Sequence, residues 1–478
     1  MNALWTIAAG EWRFWLRSRL ALAGMIVMAC LLAATSLSTM ARIDAAQKER
    51  AAHQAAAEET FLAQPDRHPH RMVHYGHYAH RAPGPLAVID PGVDRVTGQT
   101  IFLEGHRQNS AMFADTRSGA SLGSFVELTP ALVYQLLAPL LIVILGHSLI
   151  IREREAVTLA PMLAQGLSPF TIVGGKALAL ASVLLVMLLP LALLSARAVW
   201  RGEPVSSALG LSGVYALYLL IWGGGVILVS ALVRQRGMAL AVLLAVWLGV
   251  AIIFPRLAAS TAGASLPAPG KIETDLVMAQ DLRNLGDGHD AAAPVHDQLR
   301  TRLLSEYGVD RAEDLPVNFR GMVALASEEK LTKVLNDYAE AQMAREHEQA
   351  QMMGQFGWAS PFIALSAASR ALSGSDLQTH HRFLREAEAL RFDFVQELNT
   401  AHAHELSYAD DVSRNRDDAA MQRARVSADT WTVLDSFKFV PSPAHERVRS
   451  AAPFTLMLSV WAIGILAGLG WASARIRP

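Results

Sequence analysis

Six stretches of this chain contain no Asp, Glu, Lys or Arg: residues 20–40, 128–151, 177–196, 208–233, 237–255 and 452–474. Each is about as long as a helix needs to cross roughly 30 Å of hydrocarbon, which takes about 20 residues. One such run suits the centre of a soluble bundle. Six call for more polar covering than this chain has, since 52% of its 478 residues are hydrophobic and only 18% are charged. The pattern predicts an all-α polytopic membrane protein with six transmembrane helices and sizeable water-exposed parts. A net charge of −1 gives no reason to expect nucleic acid, and a lone cysteine, Cys30, excludes an intrachain disulfide.

Basic residues in short flanks orient such spans. Arg13, Arg17 and Arg19 precede the first run. Arg152, Arg154 and Lys176 lie in the loop 152–176, Arg234 and Arg236 between the fourth and fifth runs, and Arg475 and Arg477 after the sixth. With six spans these segments share one side, which is expected to be the cytoplasm and to hold both termini. Arg197 and Arg201 fall on the opposite side and run against the rule. Residues 1–19 form an amphipathic lead-in in which Trp5, Trp12, Phe14 and Trp15 stand beside arginines, as in a helix lying in the headgroup layer or an aromatic belt.

Two polar regions, 41–127 and 257–450, are left for the far side. The first is expected to begin as a continuation of the first helix. It is then broken by Pro65, Pro69, Pro83, Pro85 and Pro91, with a short strand near Gln99–Gly105. The second is expected to be mainly helical, with amphipathic helices over 325–356 and 375–406, the latter capped by Ser375 or Asp376.

The loop 152–176 carries Glu153, Glu155, Thr158, Leu159, Met162, Leu163, Ser168, Pro169, Gly175 and Lys176. That order of charges, a Thr-Leu pair, an apolar helix, a small-residue turn and a Gly-Lys resembles the cytoplasmic loop of ABC-2 type permeases. Residues 74–109, 309–321 and 358–383 resemble the outer segments of a bacterial permease subgroup defined by a domain of unknown function, DUF3526. The resemblance implies a multi-pass subunit of the bacterial inner membrane with a large periplasmic domain. It implies as partners two ABC-type ATP-binding subunits and a second permease, either an identical copy or a paralogue. The ATP-coupling residues it implies are Glu153, Glu155, Thr158, Leu159, Met162 and Leu163.

The residues themselves agree with a subunit that borrows its energy. The chain lacks a Gly-x-x-x-x-Gly-Lys-Ser/Thr phosphate loop. Before Gly174-Gly175-Lys176, Phe170 stands where the first glycine belongs, and Ala177 replaces the hydroxyl. ATP and Mg are therefore expected in a partner, with no cofactor and no catalytic residue in this chain. An apolar face of Leu159, Met162 and Leu163 between charged ends is expected to dock on that partner. His147 is the one ionisable side chain in the six runs and is expected to hydrogen-bond between helices, so a proton-driven carrier is disfavoured. One alternative is a mechanical device that moves its outer domain while nothing crosses the bilayer. The other is a membrane-anchored periplasmic metal-binding protein.

That last reading rests on His68-Pro-His-Arg-Met-Val-His-Tyr-Gly-His-Tyr-Ala-His80. On a helix His70, His74 and His77 would share a face and offer three ligands. Pro69, Gly76 and Pro83 argue against a regular helix there. The stretch is instead expected to be a structural turn whose imidazoles, with Tyr75 and Tyr78, hydrogen-bond within the outer domain and hold less than one equivalent of zinc or copper. No HExxH is present, since His404-Glu405 is followed by Leu406, Ser407 and Tyr408.

Overall fold

Apart from residues 128, 129 and 233, which lie just outside, each apolar run falls within a helix longer than itself in a computed structural model, which describes residues 3–112, 128–285 and 290–476. The chain opens with α1 (Ala3–Arg17) and, after the N-cap Ser18, enters α2 (Arg19–Leu62). The bundle is completed by α4 (Pro130–Glu155), α6 (Pro169–Trp200), α7 (Val205–Leu232), α8 (Arg236–Ser265) and α16 (Ala444–Ala474). These six helices, α2 included, are long and apolar enough to cross a membrane.

α1 binds the bundle with two of its four aromatic residues. The Trp15 indole, 1% exposed, donates to the Leu145 carbonyl at 3.1 Å, and that of Trp12 donates to Ser182 Oγ at 2.7 Å. Trp5 and Phe14 remain exposed on the other face. The helix thus has one face packed on the protein and an aromatic face left exposed.

At about 1.5 Å per residue, the 44 residues of α2 span roughly 66 Å, about twice the hydrocarbon thickness. Its far end delivers Phe61 into the core of the polar body. Asp44, on this extension, accepts from Arg197 at 2.8 and 2.7 Å and also pairs with Arg201. The two arginines that oppose the positive-inside pattern are thus held by a carboxylate of the same chain.

α7 is the hub of the bundle, packed against α4, α6 and α16. A Cβ on Gly224 would lie 2.6 Å from the Ile465 side chain, so α7 and α16 approach as closely as they do only because glycine stands there. Two π-helical turns, Val133–Leu137 in α4 and Gly249–Ile253 in α8, leave carbonyls outside the regular helical ladder. Neighbours supply donors: Trp247 Nε1 to Leu136 O at 3.0 Å, and Ser360 Oγ to Val250 O at 2.7 Å.

The polar body joins both regions expected outside the membrane. α3 (Pro69–Tyr75), the antiparallel pair β1 (His77–His80) and β2 (Thr100–Leu103), and the long helices α11 (Phe319–Gln355) and α13 (Leu377–Glu405) form its frame. Phe61, Met72, Val73, Ile101, Phe383, Phe394 and Trp431 make one core there. Asp376 caps α13, its carboxylate accepting from Thr379 N at 2.9 Å. Between α11 and α13 the chain does something the sequence reading did not anticipate. α12 (Pro361–Ser373) leaves the polar body and packs Ala364, Leu365, Ala368 and Leu372 into the same core as the spanning helices, against α7 and α16.

Candidate functional site

At the α1 end of the bundle a group of charges is closed off from solvent. Glu11 of α1 and Lys176 of α6 are 3% and 1% exposed. Lys176 Nζ donates to Glu11 Oε1 and to Glu153 Oε1, each at 2.5 Å. Arg152 completes the group, reaching both Glu11 oxygens at 2.6 and 2.7 Å while its guanidinium lies 3.8 Å from the centre of the Phe14 ring. Glu155 pairs with Arg236 at the start of α8. Four elements are thereby tied at one place: α1, the end of α4, the start of α6 and the start of α8. Glu11 escaped the sequence reading because a single acid in an amphipathic helix looks like any solvated charge.

The loop residues expected to face a partner divide into two sets. Leu159 is 2% exposed, and Met162 and Leu163 pack beside it on the bundle's own core. Their helix, α5 (Leu159–Ala164), turns its apolar face inward, so it is the remainder of the loop that reaches solvent. Glu155, Ala156, Val157 and Thr158 are exposed, and Phe170 follows across the turn. Thr158 Oγ1 donates to Glu153, fixing the tip. Val157 is 72% exposed with φ +56°, a left-handed conformation that a β-branched residue adopts only at a cost of about 1–2 kcal/mol. The backbone bond from Thr158 N to Glu153 O, at 2.9 Å, holds it there.

His147 bonds to its own helix, with Nδ1 3.1 Å from the carbonyls of Val143 and Ile144, and does not bridge helices as expected. A different polar chain crosses the bundle. Asp90 Oδ2 accepts from Ser369 Oγ, Ser369 meets Tyr215 Oη at 3.0 Å, and Gln135 Nε2 donates to Tyr215 Oη at 3.0 Å. Burial raises the Asp90 carboxyl above its usual range, against hydrogen bonds from Ser369 and Gly92. The sequence reading missed it because Asp90 lies in a loop and reaches the spans only through α12.

In the polar body, the His-rich stretch is not the turn the sequence predicted. Pro69 starts a helix instead of breaking one, since proline at N1 loses no hydrogen bond and has the required φ. His68 caps it, its Nδ1 accepting from His70 N at 3.2 Å. The helix ends at Gly76, so His77 falls on β1, buried and 4.9 Å from the Phe61 ring. His70 and His74 do share a face, but their third neighbour is His106, just past β2, at ring distances of 5.9 and 5.3 Å.

A second group centres on Asp411, which is fully buried. Its two oxygens lie 3.0 Å from His68 Nε2 and 2.8 Å from His402 Nε2, and Asn318 donates to it at 3.2 Å. Burial opposes its charge, yet the His402 and His68 hydrogen bonds hold the carboxyl well below the usual range. Arg414 also pairs with it. This group stitches the first polar region to the second and already has its cation. Nearby, Glu328 and Arg391 form a buried pair at 2.6 Å, with Glu388 at 2.7 Å from the same guanidinium. Burial works to raise Glu328, but His106 and Arg391 outweigh it and hold the carboxyl at about 2.

Fold and sites together define a helical membrane-associated protein with six candidate spans and a polar helical body built on two segments of the chain. Residues 272–440 match the family model described as a domain of unknown function, DUF3526. The matched segment runs from α9 (Lys271–Leu285) to the residues before α16, so it takes in most of the polar body and α12 but none of the spanning helices. No curated protein matches the chain.

Proposed function

We propose that this chain is the membrane subunit of an ATP-driven ABC-2 type transporter in a bacterial inner membrane. Both termini and the 152–176 loop then lie in the cytoplasm and the polar body outside. The observation that carries this reading is the tip of that loop. An exposed valine is held in a strained backbone conformation beside a buried charge group that ties α1, α4 and α6 together, with the exposed Glu155–Arg236 pair adding α8. Strain of this kind persists where surrounding structure over-determines it, as at surfaces that must be presented to a partner. A partner pressing on Val157 and Phe170 would move four elements at once. The lack of a phosphate loop in the sequence supports a reading in which two separate ATP-binding subunits supply ATP, Mg and hydrolysis, and a second permease copy or paralogue completes the assembly.

The inward Leu159 changes which substitution tests the docking. Val157→Asp should release the ATP-binding subunit while the bundle stays folded, whereas Leu159→Asp should destabilise the bundle itself, a buried unpaired charge costing several kcal/mol. A Val157→Asp chain that still binds and stimulates its ATPase as the parent does would refute this docking surface.

A second reading, in which the polar body moves and nothing crosses the membrane, is favoured by the unbroken α2. It links the α1 end to Phe61 of the polar core as one rod. ATP-dependent distance changes between spin labels in the polar body and the bundle, in proteoliposomes that accumulate no solute, would select it over transport.

A further inference from the structure

We propose that His70, His74 and His106 form a binding site for one divalent transition-metal ion of the zinc, copper or nickel class, with Glu328 as the group that orients His106. Among the described residues, the ligand-capable atoms of these three side chains all lie within 4.8 Å of one another. Three imidazoles are a donor set suited to such metals, leaving a further position for water or an exogenous ligand. His70 and His74 are one turn apart on α3, the spacing that lets two helical imidazoles meet one ion.

Three observations go beyond proximity. First, His106 has φ +63°, an uncommon conformation that carries its ring off the end of β2 toward α3. Second, its Nδ1 is 2.9 Å from Glu328 Oε2. Glu328 is buried beside Arg391, and its carboxylate accepts the hydrogen bond that His106 Nδ1–H donates, which leaves Nε2 to present its lone pair. A carboxylate behind a ligating imidazole is the usual way a metal-binding histidine is fixed in tautomer and orientation. Third, His74 is exposed and the other two rings are partly so, which gives an ion access.

Nitrogens bound to one tetrahedral ion at about 2.0–2.1 Å stand roughly 3.3 Å apart. Closing from 4.8 Å or less requires side-chain rotation, not a backbone rearrangement. The bound ion would join α3 to β2 and, through Glu328, to α11 in the DUF3526-matched segment.

The test uses the full-length protein in detergent, purified without a polyhistidine tag and stripped with chelator. It is then titrated with Zn2+ against a chromophoric competitor. One equivalent should bind with sub-micromolar affinity, weakening at least 100-fold in His74→Ala and in His106→Ala and remaining unchanged in His404→Ala, an exposed histidine elsewhere on the body. Loading with Co2+ or Cu2+ should show nitrogen coordination in the visible or EPR spectrum, and His74→Ala should lose it. His74 is exposed, so that variant keeps the test valid if His106→Ala folds poorly. Absence of a stoichiometric site, or equal binding in the parent and His74→Ala, would overturn the assignment.

Discussion

Replacing Lys176 by Met removes the cation shared by Glu11 and Glu153 without removing the methylene stem that packs in α6. In the structure Nζ makes two contacts of 2.5 Å, and Lys176 is itself only 1% exposed. Leaving buried carboxylates short of a partner costs about 3–5 kcal/mol, less whatever Arg152 recovers by shifting toward them. The double variant Lys176→Met/Glu11→Gln removes the stranded charge as well and should return much of the loss. The prediction is thus a coupling energy of at least about 1 kcal/mol between Glu11 and Lys176, which only a double-mutant cycle isolates. Equilibrium unfolding in mixed micelles at increasing SDS fraction, followed by tryptophan fluorescence, reports the four stabilities. Trp12 and Trp15 lie on the helix that the pair anchors. Additive losses, with a coupling below about 0.5 kcal/mol, would mean that the charges act independently and that α1 is held by its aromatic residues alone.

Other substitutions and conditions probe the polar parts. Gly92 has φ +50°, and a Cβ there would lie 2.1 Å from the Ser375 carbonyl oxygen, so Gly92→Ala should cost at least about 2 kcal/mol in the same titration; an unchanged midpoint would show that this contact is not made. His380 is buried and held at about 4, by desolvation first and then by the charges of Arg81 and His381, with Glu346 opposing. Its folded value lies below the unfolded one, so the stability it contributes is present above about 6.5 and is lost as pH falls toward 4. The full loss is on the order of 3 kcal/mol. His380→Gln should flatten the stability-pH curve over that window, and an identical slope in parent and variant would count against the burial of a neutral ring.

The membrane helices were legible because an apolar run of span length has few other uses. The extension of α2 could be read from a stretch without Gly or Pro, and the cap of α13 from Asp376 after Gly374. What stayed hidden depends on tertiary partners. Glu11 and Asp90 look solvated until a helix covers them. Leu159, Met162 and Leu163 have the period of an amphipathic helix, but period does not say whether the covering surface belongs to the same chain. α12 reads as part of the polar region by position and as bundle core by contact. The histidine stretch departs from its expected turn for a local reason: Pro69 is the first residue of a helix, where proline is tolerated, and not a breaker. Its third histidine, His106, is separated by a whole hairpin and carries no signal in the spacing.

The central claim is that this chain transmits the work of a separate ATPase. Purification from native membranes in mild detergent, through an affinity handle on this chain, followed by protein identification and an ATPase assay, tests it most directly. The account predicts an ABC-type ATP-binding subunit in near-stoichiometric amount, MgATP hydrolysis by the complex, and none by this chain once the partner is removed. A chain that purifies without any such subunit, or that hydrolyses ATP alone, would contradict it.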